Sequence, residues 1–247
     1  MQAIGKTILS TASSDTAQGS IWVDGVAMPV RVRRSARAKA YRLTLDGPRG
    51  ELRLSLPMRA NLKRALGWAQ AHEPWVRAQL EKQPEAVLLR DGAVIPLEGR
   101  DTRICWVADA PRTIRLEDGR LILGGASESV GRRVLQWLRA HALKQLDAET
   151  RALAALHGLR VEAVGVGDPR SRWGSCTSAG VIRYSWRLIL CPPWVRQATV
   201  THELAHLLHM DHSPAFHAAH ACLLGEDPRT ARAWLRAHGH GLHRYVA

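Results

Sequence analysis

The segment H-E-L-A-H-L-L-H-M-D-H, from His202 to His212, holds residue types at a spacing that binds and uses a metal ion. On a helix, His202 and His206 fall one turn apart on the same face, so both imidazoles reach one cation. Glu203 is turned by about 100° from His202, which sets its carboxylate beside the metal as a base and not as a ligand. Two neutral histidines, one further protein ligand and one open position make a catalytic zinc site. Chance is a weak rival, even with 12 histidines in 247 residues. A random H-E-x-x-H is expected on the order of once in forty such chains, and the later histidine cuts that roughly twentyfold.

The third ligand decides the subclass. On a straight helix His212 would lie about 9 Å beyond His206, so the chain is expected to leave the helix near His209, Met210 and Asp211. Asp and His tolerate the left-handed conformation such a turn can use. Ser213-Pro214 then reads as an N-cap and first-turn proline opening the next helix. Glu226 is the rival ligand, although Gly225-Glu226-Asp227-Pro228 reads better as a helix end and turn. His209 sits two turns from His202 and suits a place behind the ligands or in solvent. His217 and His220 read as packing or solvent-facing residues. Metzincins share the ligand spacing but place Gly where this chain has His209, and they need a later Met-turn. No methionine follows Met210, which argues against that class. One zinc ion per chain, held by His202, His206 and His212, is the expectation.

Upstream residues extend the pattern. Ser171-Arg172-Trp173-Gly174-Ser175-Cys176 precedes Val181-Ile182-Arg183-Tyr184-Ser185-Trp186-Arg187-Leu188-Ile189-Leu190, and Pro192-Pro193 follows. With H-E-L-x-H-x5-H-S-x-x-F, these stretches resemble the YgjP-like metallopeptidase family, related to the SprT metalloproteases. The resemblance is dense over residues 168–217 and fainter over Arg31–Leu80. It implies a zincin-like fold, with zinc on the three histidines and Glu203 as general base in peptide-bond hydrolysis. Ser185 stands where the family has Asn, and His217 where it has an aromatic; neither is a ligand position. Arg172, Trp173 and Arg183 are candidate substrate contacts, with Arg172 or Arg183 facing the oxyanion. By analogy with zincins, a peptide would add to an edge strand at Val181–Trp186.

These residues need elements to hold them. Alternation over residues 20–56, with Leu52, Leu54 and Leu56 opposed to Arg53 and Ser55, predicts strands. Asp-Gly pairs at Asp24-Gly25, Asp46-Gly47, Asp91-Gly92 and Asp118-Gly119 carry turn chemistry. Residues 60–82 read as a helix disturbed at Pro74. A second β region spans residues 86–124, and a long amphipathic helix spans residues 128–157, with Val130, Val134, Leu138, Ala142 and Leu146 on one stripe. Val161–Val166 and Val181–Leu190 read as strands, and helices fill most of Pro193–His238. The fold class is α+β. A flexible tail (1–19) leads to a β-rich N-terminal region with one helix (20–126), then a helical, zincin-like region bearing the motif (127–247). No internal repeat is apparent.

Composition bounds the partners. No apolar run approaches a membrane span, and residues 1–20 lack the basic start and apolar core of a secretory signal. Cys105, Cys176, Cys191 and Cys222 show neither zinc spacing nor a disulfide framework, which suggests reduced, mostly buried thiols. A cytoplasmic monomer acting on a peptide or protein is expected. Net charge is +13, with clusters at Arg31, Arg33, Arg34, Arg37, Lys39 and Arg42 and at Arg229, Arg232, Arg236 and Arg244. Charge of that sign admits nucleic acid or nucleotide as partner. It also keeps two other functions open: nucleotide or phosphate-ester hydrolysis at the same metal, and a nucleic-acid-associated protein with structural zinc.

Overall fold

A computed structural model describes residues 16–46, 51–81 and 85–247, and the chain divides into two compact units that meet at Glu85 and Ala86. Of the expected tail (1–19), residues 16–19 belong to a strand that starts at Thr16, while residues 1–15, Gly47 and Lys82 lie outside the described residues.

In the N-terminal unit, β1 (Thr16–Val23), β2 (Val26–Ser35), β3 (Arg42–Asp46) and β4 (Glu51–Pro57) form a sheet of order β1-β2-β4-β3. Two antiparallel pairs join through a parallel β2–β4 seam. Asp24 and Gly25 take φ of 48° and 78°, the mirror-image turn that matches strand twist and that Asp-Gly adopts readily. The alternation buries Ile21, Val23, Val30, Val32, Leu52 and Leu54 on one face. There they share a core with Ala65 and Ala69 of α1 (Leu62–Ala71) and Val76 of α2 (Glu73–Glu81). The single helix expected here is two. The break falls at His72, whose backbone closes α1, so Pro74 sits in the first turn of α2, where its missing N–H costs nothing.

The C-terminal unit begins before the second β region, so residues 86–126 belong with the metal-site segment and not with the first sheet. Strands β6 (Val94–Leu97), β7 (Arg100–Trp106), β8 (Arg115–Glu117) and β9 (Arg120–Leu123) form a sheet of order β6-β7-β9-β8, again two hairpins with a parallel inner pair. The sequence shows no repeat, yet this strand order occurs twice. Ile95, Leu97, Ile104, Leu121 and Leu123 share a core with the buried stripe of α3 (Val130–Leu156). Each such side chain stabilises the unit by roughly 1.5–3 kcal/mol through its removal from water.

Next to α3 lies a three-stranded sheet of order β10-β12-β11, from β10 (Ala163–Gly167), β11 (Gly174–Cys176) and β12 (Val181–Ser185). The expected strand to Leu190 stops at Ser185. Trp186–Leu190 is a 3-10 helix started by the Ser185 hydroxyl, which accepts from the Arg187 N–H at 3.3 Å, and all five residues are buried. Continuous apolar runs do not distinguish a buried strand from a buried helical turn. Helices α4 (Pro193–Ala205), α5 (Pro214–Leu224) and α6 (Arg229–His238) follow. A 3-10 turn (Gly239–Arg244) leads to β13 (Tyr245–Val246), which pairs in parallel with β5 (Val87–Leu88). Among the described residues no helix is long and apolar enough to cross a membrane.

Candidate metal centre

Helix α4 starts at Pro192-Pro193, with proline in its first turn, and carbonyls and carboxylates from elsewhere in the unit fix its orientation. Arg196, 3% exposed, donates from Nε to both Glu149 oxygens at 3.0 Å and from Nη2 to Oε1 at 2.6 Å. Glu98 lies 3.8 Å from the same Nη2 and accepts from His141 at 2.9 Å. Glu98 and Gly99 form a second mirror-image turn, with φ of 51° and 76°. A β-carbon on Gly99 would come within 2.9 Å of Pro192 Cα, so the absent side chain lets the turn abut the start of α4. Glu98 N–H also donates to Ile189 at 2.7 Å.

The helix brings His202 and Glu203 to its last turn and ends at Ala205, with His206 as C-cap. It stops earlier than the expected break near His209, and no residue of the elbow is left-handed, since Asp24, Glu98 and Asp118 are the only non-glycine residues of positive φ among those described. Tight bonds from Leu207 to Leu204 (3.0 Å) and Leu208 to Ala205 (3.1 Å) close the turn instead. Asp211 accepts from the Ser213 N–H at 3.2 Å, and the Ser213 hydroxyl caps α5 by accepting from Phe216 at 3.4 Å.

The elbow returns His212 to the helix. One ring nitrogen from each of His202, His206 and His212 lies within 4.8 Å of the others, and the Nε2 atoms of His202 and His212 are 3.4 Å apart. Tetrahedral zinc with Zn–N of about 2.0–2.1 Å spaces its ligands by about 3.3 Å, so the residues fit such an ion. Protonation agrees. His206 Nδ1 donates to the His209 carbonyl at 3.1 Å, leaving Nε2 as a lone pair. Burial, reinforced by the neighbouring histidines, pushes His202 down to about 3, and burial lowers His206 as well. Metal ligands must be neutral imidazoles. His209 contributes its carbonyl, and Glu226 is exposed and outside the cluster.

Phe216, the single phenylalanine of the chain, is fully buried beneath the cluster. Its ring centroid lies 4.9, 4.5 and 4.7 Å from those of His202, His206 and His212. His220 packs 5.1 Å from His202, with Nε2 donating to the Ala198 carbonyl at 3.0 Å. Spacing alone gives no signal for either contact, since α5 has to fold back first.

Glu203 is 3% exposed and its Oε2 has no hydrogen-bond partner. Burial pushes its carboxyl up to about 7, against the opposing pull of Arg172. The carboxylate occupies the space a β-carbon would take on Gly174. Strand β11, which carries Gly174, is the sheet edge and β12 is the centre, so the expected edge at Val181–Trp186 is displaced to Gly174–Cys176. Ser185 N–H donates to Trp173 at 2.8 Å and Thr177 N–H to Val181 at 3.0 Å. By the alternation of antiparallel pairs, Ser175 also bonds inward, while the N–H and C=O of Gly174 and Cys176 point off the open edge.

A cleft of about 490 Å³ opens over the cluster, lined by Arg172, Trp173 and the β11 backbone on one side and by Ala231, Arg232 and Leu235 of α6 on another. Arg172 and Trp173 therefore reach the site. Arg183 does not. It is exposed and paired with Ser175, on the face of the sheet opposite Gly174 and Cys176. Cys176 lines the cleft with its thiol pushed up to about 11 by burial and by Glu203. Cys191 is buried, but Cys105 is partly exposed and Cys222 exposed, contrary to the expectation of mostly buried thiols.

Behind the cleft, Arg187 ties the loop before Trp173 to residues 242–245. Its side chain is 4% exposed. It donates to Asp168 at 3.0 Å and to the carbonyls of Leu242 and Tyr245 at 2.7 and 3.1 Å. Its guanidinium lies 4.5 Å from the centre of the Trp186 ring.

Three convergent imidazoles beside a buried carboxyl, carried on a mixed α and β framework, are the makings of a metal-dependent hydrolase. Residues 41–238 match the family model described as YgjP-like, metallopeptidase domain, and the chain belongs to that family. No curated protein and no solved structure matches it.

Proposed function

We propose that the chain is a zinc-dependent metallopeptidase that cleaves a peptide held against β11. The observation that carries this reading is the juxtaposition of the three-histidine cluster with the buried Glu203 and the free backbone edge at Gly174 and Cys176. His202, His206 and His212 would hold the ion. Zinc there supplies Lewis acidity that brings the pKa of a water to around 7. An extended substrate pairs with the outward groups of Gly174 and Cys176, which lays its scissile bond along the cleft. Trp173 gives the chain an apolar wall. Glu203 takes the proton from the attacking water and returns it to the leaving amine, a task suited to a carboxyl poised near neutrality. Arg172 faces the negative charge that develops on the scissile carbonyl oxygen. A structural zinc normally has four protein ligands, whereas the cluster among the described residues offers three.

The test is Glu203→Gln. The amide cannot accept a proton but is no ligand, so metal content and fold should be kept while turnover falls by about 10² to 10⁴. Metal content and peptide cleavage are measured on one preparation. Loss of the metal would make Glu203 a ligand, and undiminished cleavage would assign the base elsewhere.

A further inference from the structure

We propose that the outer face of the N-terminal sheet binds single-stranded nucleic acid. Strand register puts Arg31 of β2 beside Arg53 of β4, and Arg53 beside Thr44 of β3. The neighbouring row aligns Arg33, Ser55 and Arg42. Directly opposed residues share a face, and the residues alternating with these, Val30, Val32, Leu43, Leu52 and Leu54, are buried in the core. All four arginines are exposed on the opposite side. Arg33 and Arg42 have no ion pair or hydrogen bond from their side chains among the described residues. Arg34, by contrast, is committed to the carbonyls of Met58 and Ala60 at 2.6 and 2.8 Å.

A second observation selects the ligand. Ile21 and Val23 are buried, so Trp22 between them projects to the arginine side, and it is 56% exposed. Trp22 stands opposite Ala27, six positions along β1 from the partner of Arg33, or about 20 Å at about 3.3 Å per residue. A large aromatic left in water at that distance suits stacking of a base a few nucleotides from those on the arginine rows. Arginine planes also stack, and they contact phosphate bidentately. Stacking on the indole requires an unpaired base, so the ligand is a single strand, with phosphates on Arg33 and Arg42 and a base on Trp22. A folded acidic protein or an anionic membrane would use the charge without needing the indole.

The experiment titrates the full chain against a fluorescent single strand of about 20 nucleotides, as DNA and as RNA, over a range of salt. Binding should weaken linearly in log salt. The pair Arg33→Glu and Arg42→Glu should weaken it at least about tenfold and reduce the slope by about 1.4, the loss of two contacts to single-stranded phosphate. Trp22→Ala should weaken it at least about fivefold. The control pair Arg160→Glu and Arg229→Glu, at side chains 92% and 86% exposed in the other unit, makes the same change in net charge and should leave binding within about twofold. Absence of binding at low salt, or an equal loss in the control pair, would overturn the proposal. So would tight binding to heparin or phosphatidylserine vesicles together with an unaffected Trp22→Ala, which would make the face a general anion surface.

Discussion

The Glu203 carboxylate fills the space where a side chain on Gly174 would begin. One residue is on the edge strand and the other on α4, so the carboxylate reaches the cleft only because the strand has nothing to put there. Gly174→Ala should displace Glu203 while sparing the three histidines. Misplacement of a reacting group by about 1 Å costs on the order of 10² in rate, so cleavage should fall about a hundredfold with metal content unchanged. Kinetics and metal analysis of the same sample check this, and full activity would mean that the strand yields at no cost.

In the proposed metal site His212 is the residue that the elbow supplies, beyond the helix end that carries His202 and His206. His212→Ala should leave two imidazoles and an incomplete site, and metal retention after dialysis should drop sharply while circular dichroism stays unchanged. Full retention would transfer the third position to another residue.

Arg187 holds three acceptors at once, so its removal leaves buried groups unpaired. Arg187→Met should destabilise the C-terminal unit by about 3–5 kcal/mol, measured by denaturant titration. Amide exchange should quicken at Leu89, whose N–H donates to Val246 at 2.8 Å. An unshifted midpoint would contradict the buried role.

His243 gives stability a pH dependence. Burial, with a smaller push from Arg187 and against the pull of Asp168, lowers it from an ordinary 6.5 to about 4. Between those values the unfolded chain binds a proton that the folded chain refuses. Stability is therefore full above about pH 6.5 and falls as the pH drops toward about 4. With chelator present, Tm should decline over that window more steeply in the wild type than in His243→Gln. Parallel curves would remove His243 from the account. His202 shifts in the same direction, and the comparison between variants cancels its share.

What could be read beforehand divides along physical lines. His202, Glu203 and His206 are legible because helical spacing is local, and the return of His212 follows from helix rise alone. Ser213-Pro214 signals its own cap. Arg183 misleads because the facing of a strand residue depends on which strand is central, and β12 takes that place only once β10 and β11 flank it. The Trp186–Leu190 run misleads because burial on all sides erases periodicity. The boundary at residue 85 is hidden by two sheets of like composition, which only packing onto α3 tells apart. Gly174 was visible as a glycine, but its reason lies in a residue 29 positions later, across the fold.

The pairing of β5 with β13 bears on when the protein becomes active in the cell. Val87 leaves the ribosome long before Tyr245, and Arg187 must also wait for the carbonyls of Leu242 and Tyr245. The loop that presents Arg172 and Trp173 therefore lacks its backing until residues 242–245 have been made, even after all three histidines have emerged. A nascent chain can assemble the three-histidine cluster yet has no finished cleft beside it. Completion of the cleft is thereby deferred until the segment through Tyr245 has been made.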